Sequence, residues 1–283
     1  MSHNLVVRVA FAVPAIALTV VVLWVGGWVL ATCVALLGVL GARELYDFAR
    51  RQGIEPIADL GLPAAAAAPL ATYWVKGYAD WEPVLYAGAL WLVAVMIVAM
   101  ARGPERRPLS AVAVTVFACL YASALLAFIV GIRHGPHSDA HPRGSAALVL
   151  LPLVVTWVCD TCAMAAGTLV GGPKLAPVLS PRKTWAGAVG GTVGGLVVAL
   201  VYGSLVLDRF GLRLGVGQLV TVGLVVAVTA QLGDVAESLL KREVDLKDSS
   251  ALIPGHGGVL DRLDSLYFVL PVSAGLFRLF GVA

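Results

Sequence analysis

The sequence is poor in charge. Only 13% of its 283 residues are Asp, Glu, Lys or Arg, about half the share expected of a water-soluble domain, which excludes a chain whose surface lies mostly in water. Cysteine is scarce as well: Cys33, Cys119, Cys159 and Cys162 all stand in apolar runs, which excludes a disulfide-stapled scaffold. Cys159 and Cys162 are spaced as C-x-x-C, but their setting is apolar and no second ligand pair follows. They read as packing residues and not as a zinc or redox pair. No internal repeat, low-complexity tail or soluble domain is seen, and a formal charge of +3 is too small to argue for a nucleic-acid partner.

What the sequence has in abundance is apolar length. Apolar residues make up 59% of the chain, in blocks long enough to cross a hydrocarbon core, which takes about 20 helical residues. The expected fold is all-α, a polytopic integral membrane protein with about nine transmembrane helices near 5–24, 28–42, 59–75, 83–101, 109–132, 145–170, 188–207, 217–233 and 263–281. Three regions follow: N-terminal helices over 1–108, middle helices over 109–187, and a charged C-terminal region over 188–283. Met1 to Trp24 has only Arg8 as a basic flank and is long enough to span outright, so it is expected to stay as a first helix and not to be cleaved as a signal.

Between spans, Arg43 to Ala58 is polar with Leu45, Phe48, Ile54 and Ile57 interspersed, the pattern of a helix lying on the membrane surface. Arg133 to Gly144, with His134, His137, Asp139 and His141, reads as a solvated loop rich in Gly and Pro. Counted on alternate sides of nine spans, Lys and Arg divide fourteen against six. The positive-inside rule then places the amino terminus and the loops after spans two, four, six and eight in the cytoplasm, for a protein of the cell's inner membrane. Gly190 with Gly194, and Gly191 with Gly195, form two overlapping G-x-x-x-G pairs. Small residues let helices approach closely in lipid, so internal packing is expected, with a homodimer as the lesser reading.

The chemistry concentrates near the C-terminus. Asp234, Glu237, Ser238 and Lys241 share one helical face at the end of span eight, and Asp261, Asp264 and Ser265 repeat that spacing at the start of span nine. Paired carboxylates at a membrane surface can hold a divalent cation through oxygen, as magnesium prefers. Between them the turn Pro254-Gly255-His256-Gly257-Gly258 lets backbone come close to an anion. A second island, Ser180-Pro181-Arg182-Lys183-Thr184-Trp185, precedes span seven. With Ser180 as helix cap and Pro181 at the first helical position, Arg182 and Lys183 would sit on a helix N-terminus, an anion site. Asp160 is a lone acid expected inside an apolar span. Glu237 and Asp245 are expected in solvent.

The run Ser238-x-Leu240-Lys241-Arg242-x4-Lys247-Asp248-x-Ser250-x2-Ile253-Pro254-x-His256-Gly257-Gly258-Val259-x-Asp261-Arg262-Leu263-Asp264 resembles the signature of phosphatidate cytidylyltransferases, the CDP-diacylglycerol synthases. Gly233-Asp234 and Ser180 to Thr184 are similar to further blocks of that family. The chain departs from the family at Ala186, where Glu is expected, at Thr168 in place of a basic residue, and at Met164 in place of Tyr. The resemblance implies attack by phosphatidate on the α-phosphorus of CTP, at a site facing the cytoplasm. It implies Mg2+ on Asp234 and Asp261, with Asp248 and Asp264 supporting and Asp160 orienting a base or meeting a second cation. Lys241, Arg242, Lys247 and Arg262 would hold phosphate, as would Ser180, Pro181, Arg182, Lys183 and Thr184, with Ser238, Gly257 and Gly258 shaping the site. His256 would donate to a phosphate oxygen. CTP, phosphatidate and the bilayer are the implied partners. A related enzyme acting on another lipid phosphate and a transporter with an acidic coupling site are the alternatives.

Overall fold

The computed structural model describes residues 3–75, 82–135, 138, 141–252 and 257–282, the side chains of residues 3–13 excepted. It is 81% helical. That follows from the solvent, because hydrocarbon offers backbone groups no partner and a helix satisfies them within itself. The helices are α1 (His3–Val25), α2 (Gly27–Arg51), α3 (Ala58–Trp74), α4 (Glu82–Arg102), α5 (Pro108–Ala118), α6 (Leu125–Arg133), α7 (Pro142–Leu169), α8 (Trp185–Tyr202), α9 (Val216–Glu243) and α10 (Leu260–Leu279). A π-helical turn, Cys119–Ala124, joins α5 to α6 without a break.

Among the described residues six segments are long and apolar enough to cross a membrane: Gly27–Arg51, Glu82–Arg102, Pro108–Arg133, Pro142–Leu169, Trp185–Phe210 and Val216–Glu243. The chain is a multi-pass membrane protein. Three of the nine expected spans are absent from that set for visible reasons. Only the later part of α1 has described side chains, α3 has 17 residues with Pro63 and Pro69 inside it, and α10 carries Asp261, Arg262, Asp264 and Arg278.

The helices form two compact units. The first comprises Met1–Gly135 with Val244–Arg262, the second Pro136–Glu243 with Leu263–Ala283. In the first unit the expected surface helix after residue 42 is not seen. Arg43 to Arg51 continues α2, burying Glu44, Leu45, Tyr46, Phe48 and Ala49 on one side. No Gly or Pro interrupts that stretch, and the helix ends only where Gly53 takes φ 73°. Arg133 and His134, expected in a solvated loop, are structural. Buried Arg133 donates from Nε to Leu23 O at 2.9 Å, capping the end of α1, and His134 Nε2 accepts from Gly27 N at 2.9 Å. His137 and Asp139 lie outside the described residues.

In the second unit glycines set the spacing of α7, α8 and α9. A Cβ at Gly187 would stand 2.8 Å from Ala163 O, and one at Gly191 2.9 Å from Cys159 O, so α8 lies directly on α7. A Cβ at Gly195 would stand 2.8 Å from the Ala227 methyl of α9, and one at Gly223 2.8 Å from the Leu196 Cα. The paired small residues are therefore used within the chain, as expected of close packing in lipid.

Candidate functional site

In the second unit the chain between α7 and α8 forms a small antiparallel hairpin, β1 (Lys174–Ala176) with β2 (Ser180–Thr184). This corrects the expected cap. Ser180 and Pro181 belong to the strand, and Thr184 is the N-cap of α8, its Oγ1 accepting from Gly187 N at 3.1 Å. Pro181 fits a two-stranded edge, where a missing N–H costs nothing. The strand sends Lys183 across to α9, where its Nζ lies 2.7 Å from Asp234 Oδ2 and 3.5 Å from Gln231 O. Arg182 is exposed beside it. With side chains 21% and 36% exposed, such a pair adds little to stability. What the pairing fixes is where one positive and one negative charge stand.

Two further acids complete this island. Gly233 is buried, and a Cβ there would meet Asp264 O at 2.8 Å and Ser265 Cα at 3.0 Å, so α9 and α10 touch backbone to backbone. Asp234, the next residue, is thereby brought near Asp264, and the two carboxylates repel each other. Asp160 on α7 is likewise repelled by Asp234 and attracted by Lys183. It lies inside the Pro142–Leu169 span, as expected, on a side of α7 that the rest of the protein leaves uncovered. Gln231, one turn before Asp234, was not singled out from the sequence. Its Nε2 reaches Thr192 Oγ1 at 3.1 Å, Ala227 O at 3.2 Å and Ala188 O at 3.3 Å, tying α8 to α9 beneath the ion pair.

Glu237 was expected in solvent. It is fully buried, with Oε2 2.6 Å from Lys241 Nζ one turn on, while Ser238 is buried on the same stretch of helix. Asp245, by contrast, is exposed as expected. Arg242 is exposed at the end of α9.

The first unit holds the other part of the signature, organised around an acid that sequence reasoning missed. Glu44, 5% exposed, accepts Ser250 Oγ at 2.7 Å and Val259 N at 2.9 Å on Oε1. Its Oε2 accepts Ser249 Oγ and Leu260 N, both at 2.9 Å. Asp261 Oδ2 accepts Ser249 N at 2.7 Å, Ser249 Oγ at 2.8 Å and Gly258 N at 2.8 Å. The glycines of the turn were expected to admit an anion. In the structure a Cβ on Gly258 would collide with Glu44 Oε1 and Ser249 Oγ, and one on Gly257, at φ 80°, with Asp261 Oδ2. The anions that approach this backbone are thus the protein's own carboxylates. Lys247, Asp248 and Arg262 are exposed around them. His256 lies outside the described residues.

Among the described residues no three His, Cys, Asp or Glu side chains converge to hold a metal unaided. The donor chemistry nevertheless fits magnesium in the second unit. Asp160, Asp234, Glu237 and Asp264 face Lys183 and Lys241 there, an excess of negative charge on oxygen donors. Mg2+ is typically held by one or two carboxylates, with water and substrate phosphates completing its shell.

A model of the cytidylyltransferase family matches residues 6–280. The phosphatidate cytidylyltransferase of Brucella suis biovar 1 (strain 1330) is 43% identical over 140 residues, which are 50% of this chain and 48% of that relative. That of Haemophilus influenzae is 37% identical over 159 residues, 53% of this chain and 52% of the relative. The chain thus spans about half the length of these curated relatives. A phosphatidate cytidylyltransferase of Synechocystis sp. is 29% identical over 288 aligned positions, 94% of each chain.

Proposed function

The chain belongs to the cytidylyltransferase family, and from that membership we propose that it transfers the cytidylyl group of CTP to phosphatidate, leaving CDP-diacylglycerol in the membrane. The observation that carries the proposal is the Lys183–Asp234 pair, set beside Asp160 and Asp264, three acids carried by otherwise apolar helices. Ionisable groups are costly at membrane depth and mark a working site by default. Membership in this family also favours an enzyme over the transporter considered from the sequence.

In the proposed reaction a phosphate oxygen of phosphatidate bonds to the α-phosphorus of CTP. The bond from that phosphorus to the oxygen bridging the β-phosphate breaks, and pyrophosphate leaves with the electron pair. The nucleophile is already an anion, so the protein's task is to align two anionic substrates and offset their charge. In the second unit Arg182, Lys183, Lys241 and Arg242 would meet phosphate oxygens, on a hairpin shaped by Ser180, Pro181 and Thr184. In the first unit Lys247 and Arg262 would do so from a loop shaped by Gly257, Gly258 and Asp261. Asp234, with Asp160 and Asp264 near it, would hold Mg2+, which when bound offsets charge on the transferring phosphoryl group. The remaining helices α1, α3 and α10 complete nine spans in this reading, with the site facing the cytoplasm of a cell whose inner membrane holds the chain.

The test is turnover by the full-length protein in detergent, with CTP labelled at the α-phosphate, phosphatidate and magnesium. Labelled CDP-diacylglycerol and pyrophosphate are expected in equal amounts. Transfer only to another lipid phosphate would move the substrate assignment, and no transfer to any lipid phosphate would overturn the proposal.

A further inference from the structure

Glu44 stands in α2, 205 to 216 residues from the groups it binds. Its two oxygens together accept two hydroxyls and two backbone amides, which fills the acceptor capacity of an ionised carboxylate. The amides are those of Val259 and Leu260, the entry to α10, where unpaired N–H groups and the helix dipole favour an anion. The hydroxyls are those of Ser249 and Ser250, directly after Lys247 and Asp248. One side chain therefore ties the two ends of the signature loop together, on either side of its glycines. Ser249 Oγ lies between Glu44 and Asp261, at 2.9 and 2.8 Å. Having one proton, it donates to one of them at a time, and this links the two carboxylates into one network.

We propose that Glu44 is a positioning residue for the cytidylyl transfer: by holding Ser249, Ser250, Val259 and Leu260 it sets the loop that presents Lys247, Asp248, Asp261 and Arg262. This rests on the function proposed above. The geometry explains why Gly258 is glycine, since any Cβ there would strike the Glu44 carboxylate. It also specifies what a substitute must supply. Gln keeps the shape of Glu44 but offers one acceptor oxygen and an NH2 group that faces donors, so it serves about half of the four partners. Asp keeps the charge but is shorter by one methylene.

The test compares full-length wild type, Glu44→Gln, Glu44→Asp, Ser250→Ala and the Glu44→Gln/Ser250→Ala double variant, with turnover expressed per folded molecule. Glu44→Gln should lower kcat about tenfold or more, as expected when reacting groups lose alignment, with little change in KM for CTP. Glu44→Asp should recover part of the loss, Ser250→Ala should cost less than Glu44→Gln, and the double variant should be little worse than Glu44→Gln alone. Wild-type kcat in Glu44→Gln, or a loss confined to the yield of folded protein, would overturn the inference. If Glu44→Gln does not fold, Ser250→Ala decides: a lowered kcat supports the role and an unchanged one overturns it. Hydrogen exchange at Val259 and Leu260 reads the same contact without any substrate. Faster exchange in a folded Glu44 variant, or in Ser250→Ala, supports the inference, and unchanged exchange refutes it. Should the wild type transfer nothing from CTP, the proposed function fails, and the exchange measurement alone judges the loop contact.

Discussion

At Asp234 a carboxylate oxygen lies 2.7 Å from an ammonium group on a neighbouring strand, whereas at Asp261 one oxygen takes three donors from its own loop. In the proposed function the first carboxylate meets the ion, whereas the second holds its own loop. Asp234→Asn should lower turnover about 10²-fold, the scale of losing one electrostatic stabiliser, and raise the magnesium concentration needed for half-maximal rate. Asp261→Asn should also lower turnover but leave that magnesium requirement where it was. Asp245→Asn, at an exposed position, serves as the control and should stay near wild type; Glu237 cannot, being buried against Lys241. A magnesium titration of the three variants decides, and equal shifts for Asp234→Asn and Asp261→Asn would mean that Asp261 is a ligand after all. Asp160, Asp234 and Asp264 were legible from sequence because charge stands out in apolar helices, and Lys183 because it belongs to the polar Ser180–Thr184 block. Glu44 was not, since Arg43, Asp47, Arg50 and Arg51 around it read as a wet surface, and its partners lie more than 200 residues away. Gln231 carries no charge and gave no signal at all.

Helices were the readable elements, because apolar length in lipid leaves the backbone little choice. The two misread stretches, Arg43 to Arg51 and Ser180 to Thr184, share a cause. Each was assigned from local polarity, while its state depends on a partner elsewhere in the chain: the burial of one face of α2 in one case and pairing with Lys174–Ala176 in the other. Contacts between elements are more exacting than the elements themselves, and Gly233 shows it. An added methyl must push either the Asp264 carbonyl or the Ser265 Cα, both backbone, so α9 and α10 must separate. Gly233→Ala should cost about 1–3 kcal/mol, typical of overpacking, and should lower turnover by shifting Asp234 away from Asp264. Thermal unfolding in detergent together with kcat reads both effects. Gly217→Ala, on the same helix with open space around it, should change neither.

For the molecule as a whole, orientation rests on the fourteen-to-six division of basic residues, some of which have other work. Arg133 caps α1, Arg102 donates to Glu55 O at 3.2 Å and Pro56 O at 3.0 Å, and Lys241 is paired with Glu237. The prediction is nonetheless definite. Single cysteines at Arg106 and Asp245, in a background lacking the four native ones, should resist an impermeant thiol reagent applied to intact cells and react once the cells are opened. Labelling of both in intact cells would reverse the topology. The first unit is discontinuous, its last stretch, Val244–Arg262, made only after Pro136–Glu243. Ribosomes add about 5–20 residues per second. The gap of 205 residues between Glu44 and Ser249 therefore means that Glu44 is made about 10–40 s before its first partner exists. Throughout that interval the nascent chain holds this carboxylate before any of its four partners has been made.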